Sequence, residues 1–163
     1  MLVKNAPTGP VVTALNWDSL DAEGFERLVY NLVSDAPGYE NPQWLMRTNA
    51  PDRGRDVSAT KTIADALSGL RTYRVILQCK HWPKRSIGME EVSKLVNQMG
   101  LWEPPKVDEL VIATTGRFAS DAVDWIERHN TDRKTPSITM WPDSHLESLL
   151  ASRPHLVTTF RLR

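Results

Sequence analysis

Tyr73-Arg74-Val75-Ile76-Leu77-Gln78-Cys79-Lys80 is an apolar, β-branched run that ends on an amide, a thiol and a lysine. Its composition predicts a strand, and strand side chains alternate between faces, so Ile76, Gln78 and Lys80 point one way while Val75, Leu77 and Cys79 point the other. A lysine at the end of such a strand is costly to bury unless an anion or a catalytic role accounts for it. The bland alternative is an edge strand whose Gln78 and Lys80 are simply solvated. Upstream lies Asp52-Arg53-Gly54-Arg55-Asp56. If a turn around Gly54 brings Asp56 alongside the strand, its carboxylate can hold a divalent cation, with the side-chain oxygen of Gln78 and the backbone carbonyl of Cys79 as further oxygen donors. Lys80 then stands where it can orient or deprotonate an attacking water, and the metal would polarise a phosphodiester.

Working outward, Asp21 is an N-cap candidate followed by Phe25, Leu28, Val29, Leu32 and Val33, the stripe of an amphipathic helix that Pro37-Gly38 ends. Glu26 sits at the edge of that stripe, either leaning towards a metal site or solvated as an ordinary helix acid. Trp44 to Thr48 and Val57 to Thr60 read as strands and, with residues 73–81, make a three-stranded meander. Met89, Val92, Leu95, Val96 and Met99 trace a second helix, with Gly100 as C-cap candidate and Pro104-Pro105 beyond. Leu110 to Thr114 is a buried strand by composition. Ser120 is an N-cap candidate for a helix that buries Ala122, Val123 and Ile126. Ile138 to Trp141 is a last strand, and Leu146, Leu149 and Leu150 mark a closing helix. The order is α-β-β-β-α-β-α-β-α, an α/β chain with a mixed central sheet of about five strands flanked by helices on both faces.

That order, and the residues in it, resembles the Mrr-like branch of the PD-(D/E)xK nuclease superfamily, the restriction-endonuclease-like fold. Four segments carry the resemblance, which runs from Leu20 to Leu150: Gly24 to Val29, Asp52-x-Gly54-x-Asp56, Gln78-Cys79-Lys80, and Ala113 to Phe118 leading to Ala122. Carried over residue by residue, it implies that Asp56 is the metal-binding acid, that Gln78 and Lys80 form the second half of the signature, and that Glu26 is the helix acid completing the site. Gln78 stands where the general signature has an acid, leaving one negative charge fewer to hold a cation. Arg55 stands where the family has an apolar residue; it contacts phosphate or points to solvent.

The resemblance implies a Mg²⁺-dependent endonuclease, with Mn²⁺ as substitute, acting on DNA and expected to prefer the double-stranded form. It also implies an effector of bacterial antiviral defence, cytoplasmic, a homodimer or higher oligomer, and fused to or activated by a sensor or oligomerisation domain. Two rivals stand beside it: a catalytically inactive module of the same fold that binds nucleic acid or serves assembly, and a nuclease directed at RNA.

Bulk composition bounds these readings. A chain of 163 residues with 20 basic and 20 acidic side chains is one domain in size, and does not hold nucleic acid by its overall field. Between Asp65 and Glu90, however, Arg71, Arg74, Lys80, Lys84 and Arg85 are accompanied by no acid. That stretch is a candidate phosphate-tracking patch, or for Lys84 and Arg85 a solvated loop. Trp82 is a candidate for base stacking, with packing as its ordinary alternative. The single cysteine, Cys79, excludes an internal disulfide and suits a reducing compartment. His81, His129, His145 and His155 lack partnering cysteines and the spacing of a zinc helix. Residues 1–16, broken by Pro7 and Pro10, read as an arm or linker, 17–152 as the nuclease-like domain, and 153–163 as a C-terminal extension or linker to a following domain.

Overall fold

A computed structural model describes residues 14–45 and 56–163. Val75, Ile76 and Leu77 are wholly buried at the centre of a five-stranded sheet. Its strands are β1 (Tyr39–Leu45), β2 (Asp56–Asp65), β3 (Gly69–Lys80), β4 (Glu109–Thr114) and β5 (Ser137–Trp141), in spatial order β1-β2-β3-β4-β5. The first three are antiparallel, and β3, β4 and β5 run parallel, so the sheet is mixed as expected. Parallel neighbours need crossovers, which α2 (Met89–Gln98) and α3 (Ser120–Thr131) supply. Helices α1 (Ala22–Asp35), α4 (Asp143–Ala151) and α5 (Pro154–Thr159) complete the chain.

Strand alternation divides the core in two. Val57, Val75, Leu77, Val111 and Ala113 pack with Phe25, Leu28, Val29, Leu32 and Val33 of α1 and with Leu146 and Leu150 of α4. Ile76, Leu110, Ile112 and Ile138 pack on the other face with Val92 and Leu95 of α2 and Ala122 and Ile126 of α3. The stripe read in α1 is buried in full, and the Asp21 side chain caps the helix by accepting from the Gly24 N–H at 2.7 Å.

Several boundaries differ from the sequence reading. The first strand begins at Tyr39 rather than Trp44; its register shifts between Glu40 and Gln43, where Asn41 takes φ 51°. The bulge on this edge strand accommodates Pro42, which in the sequence looks like a breaker. Met46 to Thr48 and Asp52 to Arg55 lie outside the described residues. Helix α2 tightens after Gln98 into a 3₁₀ turn, Met99–Trp102, which contains Gly100 instead of ending at it. Ala119, not Ser120, is the N-cap of α3, and no side chain caps it.

The β2–β3 hairpin is longer than expected. Paired residues continue from Thr62↔Thr72 to Asp65↔Gly69, whereas β1 pairs β2 only as far as Lys61 and β4 joins β3 at Val75. Asp65 accepts the N–H groups of Leu67 and Ser68, and Gly69 supplies the left-handed φ of 75° that closes the turn. The basic run of the sequence is therefore dispersed. Arg71 is on this projecting half, and Arg74 is bound by the Trp102 carbonyl at 2.6 Å.

Residues 153–163, read as an extension or linker, are packed structure. Leu156, Val157 and Leu162 join the α1-side core, Asn16 N–H donates to the Leu162 carbonyl at 2.8 Å, and Arg153 Nε donates to Asp35 Oδ2 at 3.0 Å. No described helix is long and apolar enough to cross a membrane. Because Leu162 is completely buried, Leu162→Ala is expected to lower the unfolding free energy by about 2–4 kcal/mol, read from urea denaturation; an unchanged midpoint would show that this packing contributes nothing.

Candidate active site

Seven polar or charged side chains are buried among the described residues: Glu26, Asp56, Gln78, Lys80, Thr114, Thr115 and His129. All but His129 lie where β3 and β4 end and β2 begins. Burying polar groups is costly without partners, so this concentration marks a place where the fold gives up stability for another purpose.

The sheet register sets the geometry. Val57 pairs with Leu77, which puts Asp56 opposite Gln78 on the α2 side of the sheet. The Gln78 amide donates from Nε2 to Asp56 Oδ2 at 2.5 Å. Lys80, two residues on, points to the same face, and its Nζ lies 3.3 Å from Glu91 Oε1 in the first turn of α2. Glu26 comes from α1, on the opposite side, and is 9% exposed. Its neighbour Phe25 packs against the His81 ring, one residue past the end of β3, and the Glu26 charge is among those that bear on Cys79. Burial first, then the carboxylates of Asp56 and Glu26, push that thiol well above its usual pKa, while the Lys80 charge pulls it down. The three ionisable groups thus surround the end of β3 from both faces.

The loop after β4 supports this edge. Thr115 N–H donates to the Lys80 carbonyl at 3.3 Å, and Thr115 Oγ1 is 3.1 Å from His81 Nδ1. The His81 ring packs 6.0 Å from Phe25, next to Glu26 in the chain. Gly116 lies directly beneath the loop that follows β3: a Cβ there would collide with the Trp82 carbonyl and come within 2.6 Å of the Arg85 carbonyl. Arg85 stacks over the Trp82 ring at 4.1 Å and Lys80 Nζ stands 5.6 Å from it, so this ring already carries two cation contacts. Lys84 and Arg85 are exposed beside the site; Arg55 lies outside the described residues.

Asp56, Gln78, Lys80 and Glu26, singled out from sequence, are therefore brought to one place. Glu91 was missed, because an acid in a helix's first turn is ordinary and its meeting with Lys80 depends on tertiary packing. Among the described residues no group of three or more His, Cys, Asp and Glu converges as a metal cluster. The buried carboxylates of Asp56 and Glu26, with the Gln78 side-chain amide beside Asp56, are instead a sparse hard-oxygen set. Such a set fits a cation that retains several waters, as Mg²⁺ does.

Residues 17–150 match the Mrr_cat family model, described as restriction endonuclease. No curated protein matches the chain in sequence. Among solved structures it is similar to the DNA modification-dependent restriction endonuclease AspBHI, with TM-score 0.51 and 15% identity. The likeness, one of fold, covers 95% of this chain and 43% of that one.

Since the Gly116 backbone leaves no space for a methyl group, Gly116→Ala is expected to cost about 1–3 kcal/mol in thermal unfolding. Amide chemical shifts should move mainly around residues 80–88 and 114–118. A variant as stable as the parent with an unchanged spectrum would contradict the close approach.

Proposed function

This chain belongs to the Mrr_cat restriction endonuclease family, and from that premise we propose that the buried polar edge of its sheet is the active site of a divalent-metal-dependent endodeoxyribonuclease. The observation that carries the reading is the Asp56–Gln78 contact at the strand ends, with Lys80 and Glu26 beside it.

Asp56, Glu26, the Gln78 side-chain oxygen and the Cys79 backbone carbonyl are the groups that would hold the cation, Mg²⁺ with Mn²⁺ as substitute. When bound, that cation supplies Lewis-acid polarisation of the scissile phosphate. Lys80, as an ammonium, orients the attacking water, and its positive charge stabilises the charge that develops on the phosphoryl oxygens. Exclusion of bulk water from these groups strengthens each of those interactions. The exposed Lys84 and Arg85 would grip the phosphate backbone beside the site, with Arg55 joining them from the approach to β2 and Trp82 offering a stacking surface once Arg85 turns to phosphate. A net charge of zero makes this grip local and sensitive to salt.

The wider reading follows the family. The domain is an effector of bacterial antiviral defence, cytoplasmic, acting on double-stranded DNA as a dimer or higher oligomer because one site cuts one strand. It is switched on by a sensor or oligomerisation domain. A binding or assembly module with a decayed site is the second reading, and the observation on its side is that Gln78 stands where the general signature has a carboxylate.

Supercoiled plasmid incubated with the protein in Mg²⁺ or Mn²⁺ should be nicked or linearised, and EDTA should stop it. Asp56→Ala and Lys80→Ala should each reduce the rate by about 10²-fold or more. Cutting that survives both substitutions would remove the site assignment. DNA binding that is indifferent to chelator, without cleavage at any concentration, would establish the binding module. Cleavage of RNA but not of plasmid would reassign the substrate.

A further inference from the structure

Lysine ends a flexible four-carbon stem, and a buried strand end does not by itself decide where its ammonium goes. We propose that Glu91 is a positioning residue that holds the Lys80 ammonium where the attacking water would sit; the inference rests on the nuclease reading above. The Lys80 Nζ to Glu91 Oε1 separation is 3.3 Å, and the two side chains are only 10% and 19% exposed. By contrast, the helix-surface pair Arg27–Glu23 is 63% and 53% exposed, the class of pair that water and salt weaken most. Glu90, the neighbouring acid in the same helical turn, is exposed, so an acid serving only the helix terminus has no need to be where Glu91 is.

The start of α2 is itself fixed. Ile87 N–H donates to the Arg117 carbonyl at 2.8 Å, Ala119 N–H donates to the Ile87 carbonyl at 2.9 Å, and Ile87 bridges to Phe118. The same turn, through Thr115, binds the Lys80 carbonyl. One loop therefore fixes both the backbone of Lys80 and the helix that presents its carboxylate partner. The Trp82 ring, 5.6 Å from Nζ, bounds the ammonium on a further side.

Glu91→Ala, Glu91→Gln and Glu91→Asp test this in the full chain, with Lys80→Arg as reference. In plasmid cleavage with Mg²⁺, the Ala and Gln variants should lose at least tenfold in kcat with KM for DNA unchanged, and the Asp variant should recover most of the rate. Independently of activity, the Lys80 ammonium should give a slowly exchanging ¹H–¹⁵N signal, assigned by its loss in Lys80→Arg. That signal should broaden or vanish in Glu91→Ala while the amide spectrum stays folded. If the parent cuts no nucleic acid at any concentration, the ammonium signal alone decides whether Glu91 holds Lys80. Cleavage by Glu91→Ala at or above the parental rate, a loss confined to KM, or an unaltered Lys80 signal would each overturn the assignment.

Discussion

The pairing of Val57 with Leu77 is the contact on which the rest depends. It aligns two antiparallel strands so that the first residue of β2 stands across from an amide near the end of β3. A slip by one residue would turn every side chain of one strand to the other face. Val57 and Ala59, now in the α1-side core, would then exchange places with Asp56 and Ser58. The apolar residues that hold the register are thus also those that aim the polar ones. Replacing a buried Val by a carboxylate without partners would cost several kcal/mol, so the alignment is stringent.

The sheet acts as a partition. Asp56, Gln78 and Lys80 approach from the side of α2, Glu26 from the side of α1, and they meet only because the strands stop there. Elsewhere two opposite faces of a sheet cannot share a site, since a layer of backbone separates them. At the C-terminal ends of parallel strands the loops diverge and open a crevice, which is the general reason that sites in such sheets collect there. Here β3 and β4 supply the parallel pair, and the tight turn at Thr114-Thr115-Gly116 keeps the crevice narrow.

Much of this was legible in residues 73–80. Strand alternation put Gln78 and Lys80 on one face, and the helical stripe of α1 put Glu26 at the border of a buried surface; both hold. What the sequence concealed depends on contacts between distant segments. Pro42 lies within a strand because a bulge on an edge removes the conflict with the ladder. Leu156, Val157 and Leu162 look like an unpatterned tail because a six-residue helix is too short for periodicity to declare itself, yet they complete the α1-side core. The basic run between Asp65 and Glu90 suggested a continuous patch, but strand geometry carries Arg71 and Arg74 away from Lys84 and Arg85. Charge close in sequence is not charge close in space once the chain runs straight for a dozen residues.

The projecting half of the β2–β3 hairpin carries a different consequence, one of solubility. Beyond Thr62, which donates to the Gly38 carbonyl, and Arg74, whose carbonyl accepts from the Asp108 N–H, neither strand pairs with an outer strand among the described residues, and Ile63, Leu67 and Leu70 are exposed there, Leu67 at 98%. Unpaired strand edges beside aliphatic side chains are templates for another ribbon to pair with, the usual start of aggregation. Charge tempers this: Lys61, Asp65 and Arg71 alternate with the apolar residues along the ribbon, and a second copy aligned edge to edge would have to desolvate them. The tip of the projection, at Gly69, lies at the far end of the strands that carry Asp56 and Lys80, eleven residues along β3 from Lys80, or about 35 Å of extended chain. Sequence drift at its tip can therefore tune how freely the molecule stays dispersed without touching the residues at the other end of the same two strands.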